Sequence, residues 1–359
     1  MSPTTTRREF GRRATALLPL AFVRGFAREA PASTATIDVG TLPRGVERVP
    51  ITPFSCPTGA WSMVAIPDSQ HDVAFYPEIF QRQTEWIAAH KESHRIRMVL
   101  HEGDVTDDNG LRQWGRVRRA MDVLQEARVP YSLTTGNHDL EVVDGKPVSR
   151  STRLNDYFKE KDYRDSPAFG LHTPGRLENS WHEIDSPWGK MLVLSLELGP
   201  PVEVLRWARG IIAERGTRRT ILVTHAYLCE DGTRYDYDAK GEQQSAAPRG
   251  YPIAGITDGE IVWRELVARE DSIRLVICGH TIGNGATYLS SRNEAGNICH
   301  QVMANYQMQV RPARGYGSGG FLLLLQFQPD GRTVQLRTYS PWYNLWLDGS
   351  AQQFSIDLG

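Results

Sequence analysis

Five short apolar runs in this chain each end directly in a polar, ligand-capable residue or cluster. That recurrence constrains the fold more than any other feature. Ile66 leads into Pro67-Asp68-Ser69-Gln70, and His101 into a stretch that carries Gly103-Asp104-Val105-Thr106-Asp107-Asp108-Asn109. Thr134 leads into Gly136-Asn137-His138-Asp139, Val223 into Thr224-His225, and Cys278 into Gly279-His280-Thr281-Ile282-Gly283. The runs at 61–66, 97–101, 131–134, 220–224 and 273–278, with a sixth at 191–196, are four to six residues long and rich in Val, Ile and Leu. That length and composition suit buried strands. Between them, apolar residues recur at helical spacing over 78–93 (Ile79, Phe80, Gln83, Trp86, Ile87, His90) and 111–127 (Trp114, Val117, Met121, Leu124). Two more helices are expected at 202–215 and 259–269. Strands alternating with helices imply a layered α/β architecture. In an open α/β sheet, functional groups gather beyond the carboxyl ends of the strands, which is where all five clusters fall.

Past Gly285 the helical patterns fade. Tyr288 and the stretches 298–304, 321–326 and 333–338 read as antiparallel strands joined by tight turns such as Pro329-Asp330-Gly331. The segment 33–59 is punctuated by Pro and Gly and reads as an irregular leader, with one domain expected over 60–359.

The first 32 residues have the order of an export signal. Thr6-Arg7-Arg8-Glu9-Phe10 is followed by an apolar run from Ala14 to Val23 and then by Ala30-Pro31-Ala32. The paired arginines with Phe10 resemble the twin-arginine type, so the mature protein is expected to be secreted or periplasmic. The apolar run is too short to span a bilayer, and no later stretch approaches that length. Removing six Arg and two Glu with this segment leaves 35 basic against 40 acidic residues. A mildly acidic protein has no electrostatic footprint for a nucleic-acid backbone. Cys56, Cys229, Cys278 and Cys299 lack any C-x-x-C spacing, so no thiolate zinc site is readable.

Taken singly, each polar cluster reads as a turn. Together they form oxygen and imidazole donors without thiolates, a set suited to divalent Mn, Fe, Zn or Mg. In this order they resemble the calcineurin-like metallophosphoesterase superfamily, whose blocks run Asp-x-His, Gly-Asp-x-x-Asp, Gly-Asn-His-Asp or Glu, a lone His, then Gly-His-x-His. The likeness spans about Trp61 to Ile282, with the later strands completing the second sheet. It implies a four-layer α/β/β/α sandwich of two mixed sheets flanked by helices, holding two divalent metal ions. By that resemblance Asp104 bridges both ions, Asn137, His225 and His280 complete one site, and Asp68 with the Gln70 carbonyl anchors the other. His138 then binds no metal; it stabilises the transition state or protonates the leaving oxygen. Asp107 and Asp139 support from behind. The implied activity is hydrolysis of a phosphomonoester or phosphodiester by metal-activated water, with a small-molecule phosphate ester as substrate.

Two positions depart from the pattern, Gln70 and Ile282, and both stand where the family has a histidine for the same metal. Three outcomes follow. That site takes a hard, oxygen-loving ion, or borrows a ligand from Asn284, His300 or His71, or stays weakly occupied. Pro-Asp-x-Gln, Thr-His-Ala-Tyr-Leu around His225 and Ala-Asn-Tyr-Gln at 304–307 resemble a bacterial branch in which the amide is normal. The rival readings are a non-catalytic binding module on a degenerate scaffold and an exported nuclease; the acidic mature charge argues against the nuclease.

Overall fold

The computed structural model describes residues 56–163, 166, 168–283, 285–308 and 317–359. The chain divides into two units, 1–38 and 39–359, and every described residue belongs to the second. The signal and most of the leader, together with Asn284, lie outside the described residues.

Among the described residues, sixteen strands follow in chain order. The first eight are β1 (Trp61–Ile66), β2 (Ile96–His101), β3 (Tyr131–Leu133), β4 (Val142–Val143), β5 (Lys146–Pro147), β6 (Ala168–Thr173), β7 (Arg176–Ser186) and β8 (Gly189–Ser195). Then come β9 (Thr220–Val223), β10 (Ile273–Cys278), β11 (Ala286–Arg292), β12 (Ile298–Ala304), β13 (Leu322–Phe327), β14 (Thr333–Ser340), β15 (Leu345–Leu347) and β16 (Gln353–Asp357). The helices are α1 (Gln70–Phe75), α2 (Pro77–His90), α3 (Leu111–Glu126), α4 (Leu154–Tyr157), α5 (Val202–Arg215), α6 (Tyr237–Lys240) and α7 (Gly259–Glu265), with short 3-10 turns between.

Two large sheets result. The first runs β15-β14-β13-β1-β2-β3, with β16 also on β14, and the second runs β11-β12-β10-β9-β8-β7-β6. Strands β1, β2 and β3 are parallel, as are β8, β9, β10 and β12. The sheets face each other through Met63, Ala65, Met98 and Leu100 on one side and Val193, Ile221, Val223, Leu275 and Ile277 on the other. Residues of the opposite phase, Val64, Ile66 and Val99, pack under Phe80 and Ile87 of α2 and Trp114, Val117 and Met121 of α3. Leu192, Leu194, Leu222 and Val276 do the same under Leu205, Ala208 and Ile212 of α5 and Val262 of α7. Both faces of each central strand are dry, which is why these strands read as continuous apolar runs. The architecture is the expected α/β/β/α sandwich.

The later strands depart from expectation. Only β11 and β12 join the second sheet; β13 to β16 return to the first, where β13 pairs antiparallel with β1. Strand β12, expected among antiparallel neighbours, lies parallel to β10 on one side and antiparallel to β11 on the other. The β6–β7 hairpin has no clear sequence signal, because β7 buries Glu178, Asn179, Ser180 and His182, and that polarity hides a strand.

Candidate metal centre

The carboxyl ends of β1, β2, β3, β9 and β10 deliver Asp68, Asp104, Asn137 with His138, His225 and His280 to one edge of the sandwich. The loops that carry them are laced by their own backbones: Ser69 N–H donates to Asp104 O at 3.1 Å, and Gly279 N–H to His225 O at 2.9 Å. Asp104 and His280 adopt positive φ, 48° and 79°. Left-handed backbone is uncommon outside glycine and costs free energy, so it persists where surrounding structure enforces it, often at working sites.

The histidine tautomers follow from their hydrogen bonds. His225 Nδ1 lies 3.0 Å from the Glu102 carbonyl and His280 Nε2 lies 2.9 Å from the Ala246 carbonyl. A carbonyl only accepts, so each of these nitrogens carries the hydrogen. The other nitrogens, His225 Nε2 and His280 Nδ1, then face each other as lone pairs 3.1 Å apart. Asn137 Oδ1 is 3.2 Å and Asp104 Oδ1 3.3 Å from the same His225 nitrogen. Donor atoms of Asp104, His225 and His280 all lie within 4.8 Å of one another. With the far nitrogens of both rings engaged on carbonyls, this shared point is filled only by a cation, either a metal ion or a proton on His225. The mixed N and O set fits a divalent ion, and imidazoles held by carbonyl partners on the far nitrogen are the usual form of metal-ligating histidine.

Electrostatics point the same way. Burial opposes charge on Asp104, yet the imidazoles of His225 and His138 hold its carboxyl far below the usual range. Burial draws His225 down, but the carboxylates of Asp104 and Asp68 outweigh it and raise the ring to about 9. Burial and the neighbouring His225 take His280 down to about 4. In the absence of a metal, a proton on His225 is the substitute cation.

On the other side of Asp104, Gln70 Nε2 donates to Asp104 Oδ2 at 2.9 Å, leaving Gln70 Oε1 buried without a partner among the described residues. Asp68 accepts from the His280 backbone N–H through both oxygens at 3.2 Å and from Asn305 Nδ2 at 2.8 Å. Ile282 offers no donor atom. Of the replacements foreseen, His300 is spent elsewhere, on Tyr288 Oη at 2.7 Å and the Asp357 carbonyl at 2.9 Å. It sits near the start of β12, away from the carboxyl edge. His71 bonds the Gln307 carbonyl at 3.1 Å and faces Asp107 Oδ1 at 3.8 Å.

His138 differs from the other two histidines of the site. Its side chain is 38% exposed, whereas that of His225 is 0%. Its Nδ1 donates to the Asp107 carbonyl at 2.8 Å, with Asp107 Oδ1 at 3.5 Å, which leaves Nε2 as the nitrogen without a partner among the described residues. Burial lowers its proton affinity, but Asp104 and Asp107 overcome that and the net direction is upward. Asp139 is wholly buried and staples two site loops. It accepts from Val105 N–H and Gly136 N–H through Oδ2, both at 3.0 Å, and from Thr106 N–H and Oγ1 through Oδ1 at 2.8 and 2.9 Å. His101 accepts from Gly103 N–H at Nδ1 (3.3 Å) and so donates from Nε2 to Ser69 Oγ (3.0 Å), a packed strand residue that burial keeps neutral.

Some residues at the site escaped sequence reasoning. Asn305 lay within a noted pattern, Ala-Asn-Tyr-Gln, but without a role; the structure puts it on Asp68. Ala246 supplies a carbonyl, which no side-chain pattern encodes. Glu102 follows the last residue of β2, between His101 and Gly103, and nothing in the sequence separates it from a turn residue. Two others had a reading from the sequence: Tyr235, an aromatic of either cleft rim or packing, stacks edge-on against His280 with ring centres 5.7 Å apart, and Glu197, either facing the site or on a solvated loop, turns to Arg150 Nη1 at 2.9 Å and Asn179 Nδ2 at 2.8 Å.

Comparison with known proteins gives three kinds of match. The profile of the calcineurin-like phosphoesterase family matches residues 64–284. A Bacillus subtilis (strain 168) protein, YvnB, is 28% identical over 314 residues, covering 83% of this chain; the chain spans only 22% of that relative's length. Among solved structures, a dimetal phosphatase from Danio rerio aligns at TM-score 0.45 and 11% identity, covering 84% of this chain and all of that one. A 5'-nucleotidase precursor from Thermus thermophilus aligns at TM-score 0.42 and 12% identity, covering 83% of this chain and 55% of that one.

Proposed function

Because this chain belongs to the calcineurin-like phosphoesterase family, whose activity is metal-dependent hydrolysis of phosphoric esters, we propose that it hydrolyses a small-molecule phosphomonoester or phosphodiester outside the cytoplasm. The observation that carries this reading is the convergence of the His225 Nε2 and His280 Nδ1 lone pairs with Asp104 and Asn137.

Asp104, Asn137, His225 and His280 would hold one divalent ion, and Asp68, Gln70 and Asp104 a second. Bound there, such ions neutralise phosphate oxygens and acidify water enough for attack near neutral pH. The chain's own residues do the rest. The Glu102 and Ala246 carbonyls fix the two rings, and Asp139 fixes the loops of Asp104 and Asn137 relative to each other. His138, the exposed imidazole with a free Nε2, donates its proton to the oxygen of the departing alcohol. A leaving alkoxide is a poor leaving group, so protonating it as the bond breaks contributes a factor of about 10²–10⁴ in rate. Asp107 holds His138 at the angle this needs.

Export is supported by the sequence alone, through Arg7-Arg8 with Phe10, the apolar run behind them and the Ala30-Pro31-Ala32 site. No helix among the described residues is long and apolar enough to cross a membrane.

The test is turnover of p-nitrophenyl phosphate and bis-p-nitrophenyl phosphate by the purified chain with Mn²⁺, Zn²⁺ or Mg²⁺, beside elemental analysis of the protein. The expected result is metal-dependent release of p-nitrophenol. A folded protein that takes up no metal and turns over neither ester would favour the non-catalytic binding module.

A further inference from the structure

Glu102 has a fully employed backbone and an unemployed side chain. Its N–H donates to the Ile66 carbonyl at 3.1 Å and its carbonyl accepts from His225 Nδ1 at 3.0 Å. The residue is 0% exposed, and neither Oε1 nor Oε2 has a hydrogen-bond partner among the described residues. Buried polar groups in folded proteins are almost always paired, and a doubly orphaned carboxylate is the exception that asks for a missing partner.

Gly279 shows where that side chain points. The position a Cβ on Gly279 would take is 2.0 Å from Asp68 Oδ1 and 3.5 Å from Glu102 Oε2. The two carboxylates thus border one spot beside the Asp68 loop. Gln70, the neighbour of Asp68 in that loop, adds a second buried orphan oxygen, Oε1. Asp68 is well supplied with hydrogen-bond donors, from the His280 backbone and Asn305; Glu102 and Gln70 Oε1 are not. Carboxylates crowded together out of water are tolerated when a cation sits with them. The ring nitrogens of His225 and His280 are already taken up by the Glu102 and Ala246 carbonyls and by the shared point with Asp104 and Asn137. The side-chain atoms left without a partner near Asp68, among the described residues, are therefore the oxygens of Glu102 and Gln70.

We propose that Glu102 is an oxygen donor of the Asp68-side cation position, taking over where Gln70 and Ile282 supply no imidazole, so that this position is all-oxygen and reserved for a hard ion, Mn²⁺ or Mg²⁺, over Zn²⁺. Hard cations prefer carboxylate and carbonyl oxygen, whereas Zn²⁺ favours nitrogen and sulfur. The inference rests on the metal-dependent reading above and assigns Glu102 a part in it.

The experiment titrates the full chain with Mn²⁺ and, separately, with Zn²⁺ by calorimetry, alongside the melting temperature with and without metal. The wild type is expected to bind two Mn²⁺, the second discriminating against Zn²⁺. Glu102→Gln keeps the shape and removes the charge. It is expected to bind the first ion as before and the second at least tenfold more weakly, with a smaller rise in melting temperature on Mn²⁺ and no loss without metal. Glu102→Asp, which keeps the charge on a shorter reach, is expected to fall between. Equal affinity of Glu102→Gln and wild type for the second ion overturns the proposal, as does a wild type that takes up one ion only or prefers Zn²⁺ at its second site. If Glu102→Gln does not fold, those two wild-type measurements decide alone. A wild type that binds no divalent ion removes the functional reading itself.

Discussion

Gly136 and Asp104 touch so closely that a Cβ on Gly136 would stand 2.1 Å from Asp104 Oδ1 and 2.4 Å from the Asp104 backbone nitrogen. The φ of Gly136 is an ordinary −99°, so glycine is needed here for space and not for conformation. Gly136→Ala is expected to push Asp104 out of line with His225 and His280. A misplacement of about 1 Å in a positioned group can cost roughly 10² in rate, while overpacking costs about 1–3 kcal/mol in stability. Steady-state rates with saturating Mn²⁺, beside a melting curve, check this; a fully active Gly136→Ala would mean that Asp104 does not need its present position.

His138→Gln is expected to lower kcat by about 10²–10⁴ while metal content stays at the wild-type level, since no ligand is lost. Because Asp104 and Asp107 shift the proton affinity of His138 upward against burial, its acid form persists above the usual histidine range. Activity that needs this proton is present at lower pH and lost as pH rises through the raised value. Esters of poor leaving groups should suffer more than p-nitrophenyl esters. Equal loss on both would argue for a charge-stabilising role without proton transfer.

Metal removal should both silence and soften the protein. With the ions gone, a proton on His225 is left to hold together groups that the metal would bind more tightly. A ligand at 100 times its dissociation constant stabilises the folded state by about 2.7 kcal/mol. Dialysis against a chelator is therefore expected to abolish turnover and lower the melting temperature, with both restored by Mn²⁺. His225→Ala should lose most of the metal-induced rise, whereas His300→Ala, a residue outside the site, should keep it.

Acid stability offers a check far from the metal. Burial alone lowers His182 to about 3, and the ring packs on Tyr163 and Phe169. Its folded-state value is depressed below the unfolded one, so the unfolded chain takes up the proton first. Stability from this group is full above about 6.5 and falls as pH drops toward 3, by about 1.4 kcal/mol per pH unit inside that window. His182→Gln is expected to flatten the dependence of unfolding free energy on pH between about 6 and 4 by that slope. Denaturant melts at several pH values read it, and an unchanged slope would mean the ring titrates normally in the fold.

The sequence alone determined the strands and helices near the site, because apolar runs and 3.6-residue spacing are local signals that survive without tertiary knowledge. The run at 61–66 and the helix at 202–215 have the boundaries seen in the structure. It also identified the five loops carrying Asp68, Asp104, Asn137 with His138, His225 and His280, because a strand ending in a ligand-type residue leaves its mark in adjacent positions. What it could not carry is which nitrogen of each ring is free. That depends on the carbonyls of Glu102 and Ala246, 123 and 34 residues away from the rings they hold. The return of β13 to β1, the use of His300 elsewhere and the Glu102 carboxylate left without a partner among the described residues were decided by tertiary structure alone. Each is a matter of which groups meet, or fail to meet, once water has been excluded, and burial has no signature in the order of the residues.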